Sequence, residues 1–307
     1  MRAVAIQSYG GEDKLELMDL PIPEIQKDEV LVRIKAAGVN RVDTMYREGF
    51  KATHTFPVIM GSDFAGIIEK IGSAVHSVAV GDEVFGYKYG GNGTYAEYVA
   101  VSAELIARKS KKLSFEEAAS LPCTGMVAYD AIANTLQIQA GETVLITGAN
   151  GGVGMVGIQV AKSLGGTVVA TGSGNVLDFL RELGADEVID YTQGDYVQAV
   201  LNAHPKGVDA ALAAAAPTVE TSAAVVRDHG RLTWLNGPEG PRMQRMIAGK
   251  FTDSSRGTAF LDKLTELVES GAIHIVRVDK TYNLEDAAQA QKDFIAGDVR
   301  GKLVITL

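Results

Sequence analysis

The chain has 307 residues and a formal charge of −9, with Lys+Arg 29 against Asp+Glu 38 and no basic cluster; the length calls for two domains or one large barrel, and the charge excludes nucleic acid and anionic membrane as partners. One cysteine, Cys123, excludes an internal disulfide, a Cys-rich zinc site and a two-cysteine redox motif, and suits a reducing cytoplasm. Charged residues interrupt the first twenty positions and no run of about 18 apolar residues occurs, so a soluble, unprocessed cytoplasmic chain is expected.

From residue 1 to about 107, short alternating apolar runs such as 30–34 (VLVRI) and 95–101 (YAEYVAV) lie between Gly, Asp and Pro turns and predict a β-rich segment. Residues 81–86 and 90–93 have turn chemistry, and one helix over 41–48 interrupts the strands. From about residue 142 the rhythm changes to strand 143–147, helix 153–164 and strand 168–171. The alternation continues with 176–183, 188–190, 196–203, 209–213, 218–226 and 232–235. A helix over 260–270, an apolar run at 273–276, a helix over 284–295 and a closing strand over 303–306 complete the chain. Successive βα units predict an α/β fold with a doubly wound parallel sheet.

The first strand of the second half leads into Gly148-Ala149-Asn150-Gly151-Gly152-Val153-Gly154 and then a helix. Glycines there permit a tight turn, let the backbone approach a pyrophosphate and pack helix on strand, while the helix N-terminus offers N–H groups and a positive dipole end. The spacing departs from G-x-G-x-x-G, so the position between strand and helix carries the weight; a glycine turn without a ligand is the alternative. Gly148, Gly151, Gly152, Val153 and Gly154 are therefore candidate cofactor contacts. An NAD site usually ends its second strand with Asp or Glu, whereas this chain has Thr171, Gly172, Ser173, Gly174 and Asn175. With no carboxylate in that turn and a hydroxyl at Ser173, NADP(H) is favoured, Ser173 as a plain turn residue being the alternative.

The ordered set of residues 36–43 (AAGVNRVD), 61–66 (GSDFAG), 80–86 (VGDEVFG), 141–154 (GETVLITGANGGVG), 183–186 (LGAD) and 300–305 (RGKLVI) resembles the medium-chain dehydrogenase/reductase superfamily, in its zinc-free quinone oxidoreductase (zeta-crystallin-like) branch. The resemblance implies a GroES-like catalytic domain from 1–124 and 271–307, a Rossmann dinucleotide-binding domain at 125–270 inserted within it, and NADPH in the cleft. It also implies a homodimer joined through sheet edges. Tyr191 and Arg300 align with residues that reach the adenosine phosphate in relatives, as does Ser173, and the turn at Asn236 is expected to border the nicotinamide. Zinc-dependent relatives have Cys where Asn40 stands, His-Glu where Ser62 and Asp63 stand, and a four-Cys lobe without counterpart, so no metal is expected. The histidines, at 54, 76, 204, 229 and 274, show no ligand spacing.

Quinone reductases of this branch often carry Tyr at the position of Met45; here Tyr46 is the next residue, about 100° further around the helix. Tyr46 then either edges into the cleft or packs the helix, and Met45 makes an apolar wall for a planar substrate. Asn40 either bonds a substrate carbonyl or cofactor ribose or caps the helix, and the same choice holds for Asp43. A quinone or activated enone gives a stable anion on accepting hydride, whereas an ordinary aldehyde gives a basic alkoxide that calls for zinc or a positioned acid. The resemblance and this chemistry lead to NADPH-dependent reduction of a quinone or enone. The alternatives are a non-catalytic NADPH-binding structural or regulatory protein and an enoyl-thioester reductase, the latter weakened by Phe50 and Lys51 where that group has Tyr.

Overall fold

The computed structural model describes residues 1–50, 55–88, 92–235, 247–250, 257–297 and 299–307, with backbone alone at 247–250. The chain divides into two compact units, Met1–Cys123 with Arg256–Glu269 and Val276–Leu307, and Thr124–Ser255 with Ser270–Ile275.

The first unit is built on Glu29–Gly38, a strand rich in β-branched residues whose Val30, Val32 and Ile34 face a core with Phe64, Ile68, Val84, Val99, Val101 and Ile106. Each such side chain contributes about 1.5–3 kcal/mol on burial. The strand ends in Ala36, Ala37 and Gly38 because space closes there: a Cβ on Gly38 would meet the Ala119 carbonyl. Glu29–Gly38 pairs with Asp63–Ile71 along its length, with Tyr98–Ser102 at its first half and with Lys302–Thr306 at its last residues. The sheet path runs Val278–Asn283, Lys302–Thr306, Glu29–Gly38, Asp63–Ile71, Glu83–Tyr87, Ile106–Arg108. A three-stranded sheet, Glu16–Asp19, Arg2–Ile6 and Val58–Ile59, adds a second layer.

The second unit is a six-stranded parallel sheet ordered Glu187–Asp190, Thr167–Gly172, Thr143–Thr147, Val208–Ala213, Val226–Trp234, Ile247–Lys250. In chain order that is 3-2-1-4-5-6, and the order reverses at Thr143–Thr147, whose C-terminal end carries the glycine loop. Leu145, Val169, Ala211, Leu232 and Trp234 share one core cluster.

Four features depart from the sequence reading. The strand expected at 232–235 starts at Val226 and ends at Trp234; a register shift against Val208–Ala213 and a positive φ at His229 carry it through the polar 227–230 stretch that hid it. Ile247–Lys250 is a further strand, between the runs at 232–235 and 260–270, where the sequence pattern predicts no element. The apolar run at 273–276 is coil, and the strand lies at Val278–Asn283. Helix Thr258–Glu269 belongs with the first unit rather than the expected 125–270 block, because it packs beside Ile106–Arg108 and its Thr265 Oγ1 donates to the Arg108 carbonyl at 3.1 Å. Among the described residues no helix is long and apolar enough to cross a membrane.

Candidate functional site

In the second unit, strand Thr143–Thr147 passes through Gly148, which has φ +64°, to Gly151, the N-cap of helix Gly152–Ser163. Two glycines here are dictated by space. A Cβ on Gly148 would lie 3.1 Å from the Ala215 nitrogen, and one on Gly154 would lie 2.5 Å from the Ala149 Cα and against the Gly148 carbonyl. Gly151 is different: its nearest neighbour would be 3.5 Å away, so space within the protein does not demand glycine there. Gly152 and Val153 are half-buried, and the first N–H groups of the helix have no partner within the helix. Glycine loop, helix dipole and switch-point position together fit the pyrophosphate of a dinucleotide.

The adenosine end lies past Thr167–Gly172, in which Thr171 is buried. Ser173 Oγ donates to Asn175 Oδ1 at 2.8 Å. Tyr191 is 51% exposed, and its backbone N–H donates to the Gly172 carbonyl at 3.1 Å. The structure also brings a carboxylate that the turn itself lacks: Asp190 is paired with Gly172 across the sheet, and its Oδ2 stands against the turn, 2.9 Å from where a Cβ on Gly174 would lie. The signal for it was present in the sequence, as the last residue of the strand at 188–190. Arg300 lies in the first unit, half-buried, its N–H donating to Asp279 Oδ2 at 3.2 Å. Asn236 lies outside the described residues.

In the first unit, five chain segments meet in a buried polar cluster. Asn40 precedes helix Arg41–Arg47, and its backbone N–H donates to Asp43 Oδ2 at 2.8 Å, one arm of a capping box. Asp43 Oδ1 accepts from Ser62 Oγ at 2.6 Å and Oδ2 from the Tyr95 hydroxyl at 3.1 Å. The Asn40 amide is held at both ends, with Nδ2 donating to Asp63 Oδ2 at 2.9 Å and Oδ1 accepting from Lys302 Nζ at 2.5 Å. Lys302 Nζ also donates to the Val39 carbonyl at 2.7 Å, and both Asp63 oxygens accept from the Cys123 N–H at 3.1 Å. Asp43, Ser62, Asp63, Tyr95 and Lys302 are all buried. Burial raises the Asp43 pKa to about 6, against its hydrogen bonds to Ser62 and Asn40, and that of Asp63 to about 7, against the Lys302 charge and the Asn40 amide. Burial and the Asp43 charge push the Tyr95 hydroxyl well above its ordinary value, so it stays a donor.

Lys302 had no role in the sequence reading, although a lysine inside an otherwise apolar closing strand was its signal. Gly301 before it has φ +110°, and a Cβ there would meet the Arg277 carbonyl, so the strand begins where glycine alone fits. Arg47, fully buried, donates from Nε to Gln291 Oε1 at 2.7 Å and ties Arg41–Arg47 to helix Ala287–Ala296. Met45 and Tyr46 are half-buried; Tyr46 packs against the core around Val39 and Tyr95, 5.8 Å from the Phe50 ring. Asn40, Ser62 and Asp63 offer an amide already bonded to an ammonium, a hydroxyl already bonded to Asp43 and one carboxylate, with none of the thiolate or imidazole donors that dominate zinc sites. Among the described residues no group of three or more His, Cys, Asp or Glu could hold a metal ion.

Residues 26–111 match the alcohol dehydrogenase GroES-like domain, and residues 183–305 match the family described as zinc-binding dehydrogenase. The chain is 35% identical over 318 residues to the 2-methylene-furan-3-one reductase of Solanum lycopersicum, covering 99% of this chain and 79% of that protein. It is 31% identical over 326 residues to the quinone oxidoreductase of Mus musculus, covering 100% and 98%. The Escherichia coli quinone oxidoreductase complexed with NADPH superposes with a TM-score of 0.88 at 25% identity, covering 100% of both chains. With a GroES-like unit, a Rossmann unit and relatives matched end to end, this chain belongs to the medium-chain dehydrogenase/reductase superfamily, in its zinc-free quinone oxidoreductase branch.

Proposed function

We propose that this chain is a zinc-independent, NADPH-dependent oxidoreductase that reduces a quinone or an activated enone. The observation that carries the reading is the Lys302 ammonium bound to Asn40 Oδ1 and the Val39 carbonyl, because it supports a site in which the residue standing where a metal-dependent relative has a ligand is already partnered by a cation of the protein's own. The names of the tomato and mouse relatives support the substrate class, and the NADPH complex of the bacterial structure supports the cofactor.

When bound, the reduced nicotinamide supplies the hydride. Gly148, Gly151, Gly152, Val153 and Gly154 would hold the pyrophosphate through backbone N–H groups, with Thr171, Ser173, Tyr191, Asn236 and Arg300 serving the rest of the dinucleotide. Asn40 is fixed by Lys302 and Asp63, so the direction of its second Nδ2 proton is set before substrate arrives, and that proton is offered to a substrate carbonyl or the cofactor ribose. Asp43 and Ser62 hold the start of the helix that presents Met45 and Tyr46 as the wall against a planar acceptor. No residue has to protonate a strongly basic product, since a hydroquinone or enolate anion takes its proton from solvent.

The test follows NADPH consumption with 1,4-benzoquinone, 9,10-phenanthrenequinone, an open-chain enone and a simple aldehyde as separate acceptors. Turnover with a quinone or the enone and little with the aldehyde is expected. NADPH binding with no acceptor reduced would leave a non-catalytic binding protein as the reading.

A further inference from the structure

We propose that Asp190 sets how strongly this chain distinguishes NADPH from NADH: its carboxylate, delivered to the 172–175 turn by the neighbouring strand, opposes a 2′-phosphate and accepts a hydrogen bond from a free ribose 2′-hydroxyl. The proposal rests on the reading that a nicotinamide dinucleotide binds across the Gly148–Gly154 loop. In the usual site an acid at the end of the second strand performs this discrimination. This chain has none there, yet the parallel pairing of Gly172 with Asp190 brings one from the third strand to the same turn.

Three observations hold the carboxylate in place. Thr192 donates to Oδ1 from its N–H at 2.9 Å and from its Oγ1 at 2.6 Å. A Cβ on Gly174 would lie 2.9 Å from Asp190 Oδ2, so a glycine lets the turn close onto the same carboxylate. The Thr192 bonds keep its pKa below the ordinary carboxylate value, and the group is ionised at neutral pH. Meanwhile the one hydroxyl of the turn, on Ser173, already gives its proton to Asn175 Oδ1, and would have to release it to donate to a phosphate. Arg181, the next cation along the chain, is engaged with Asp178 at 2.7 Å. A phosphate entering this turn therefore meets a fixed negative charge, while a ribose diol meets an acceptor.

The consequence is a reductase that uses NADPH with a narrowed preference and also accepts NADH. The experiment compares kcat/KM for the two cofactors with one acceptor in wild type, Asp190→Asn and Thr192→Val. Asparagine keeps an oxygen for Thr192 while removing the charge, so the NADPH to NADH ratio is expected to rise about tenfold, about 1.4 kcal/mol, mainly through a lower KM for NADPH. Thr192→Val disturbs the same turn but leaves the charge, and is expected to keep the ratio within twofold. Calorimetry with 2′,5′-ADP and 5′-AMP on the full chain provides a readout independent of turnover, with Asp190→Asn tightening the first over the second. A ratio within twofold of wild type in Asp190→Asn, or a lower one, would overturn the proposal, as would an equal shift in Thr192→Val. Failure of the wild type to bind either dinucleotide would overturn the nucleotide-site reading itself, and is recognised by that loss of binding.

Discussion

The glycine loop of the second unit and the polar cluster of the first are specified in opposite ways. The loop is defined by atoms that cannot be present, since Gly154 has no room for a Cβ beside Ala149. The cluster is defined by charges that cannot stand alone, since Asp43, Asp63 and Lys302 are buried and bonded within one network. One depends on shape over seven consecutive residues; the other depends on neutralisation across residues 40, 43, 62, 63, 95 and 302. A local error in the first is steric and abrupt, whereas an error in the second is electrostatic and responds to pH.

The largest expected effect breaks the first region. Gly154→Ala is expected to cost about 3 kcal/mol or more through forced backbone movement and to remove dinucleotide binding, whereas Gly151→Ala, with 3.5 Å to its nearest neighbour, is expected to keep its unfolding midpoint. Urea unfolding of the two variants makes that comparison, and equal losses would show that close packing is not what selects glycine at residue 154.

Next comes the charge of the second region. Lys302→Met fills similar volume but leaves two buried carboxylates without their cation, with an expected cost of about 3–5 kcal/mol and further elevation of both carboxylate pKa values. Urea unfolding at neutral and mildly acidic pH should show the loss shrinking as the carboxylates take up protons.

The pH profile of the wild type sharpens the same point. Folded-state pKa values of about 6 for Asp43 and about 7 for Asp63 lie above the unfolded value of 3.8, so the folded chain binds protons that the unfolded chain has released. Their contribution is fully present below the unfolded value and is lost as pH rises through 6 and 7. Thermal midpoints in matched salt are expected to fall from pH 5 to pH 8 by more in wild type than in Asp63→Asn. The smallest effect is that of Tyr95→Phe, which removes one donor to Asp43 and is expected to cost about 1–2 kcal/mol, measured by urea unfolding, and to lift the Asp43 pKa further.

The difference between the regions also explains what a reader of the sequence can see. Residues 148–154 lie between a recognisable strand and a recognisable helix, so their position as the strand-to-helix turn was legible. Asn40, Ser62 and Asp63 were visible as residues where a metal-dependent relative has ligands and Asp43 as a helix cap or substrate contact, but the cation that completes them lies more than 230 positions on, in a motif read for Arg300 and its apolar strand. Asp190 was legible as a strand end and illegible as a neighbour of Gly174, because strand order had to be known first. Helix Thr258–Glu269 was read correctly as a helix near 260–270, but its unit depends on a contact with Arg108 that no local pattern announces.

Quinone-dependent NADPH oxidation by purified protein, with and without a strong chelator and with added zinc, decides whether an ammonium rather than a metal completes the cluster at Asn40. Turnover unchanged by the chelator and not raised by zinc is expected. Activity abolished by the chelator and restored by zinc would show that a metal completes it instead.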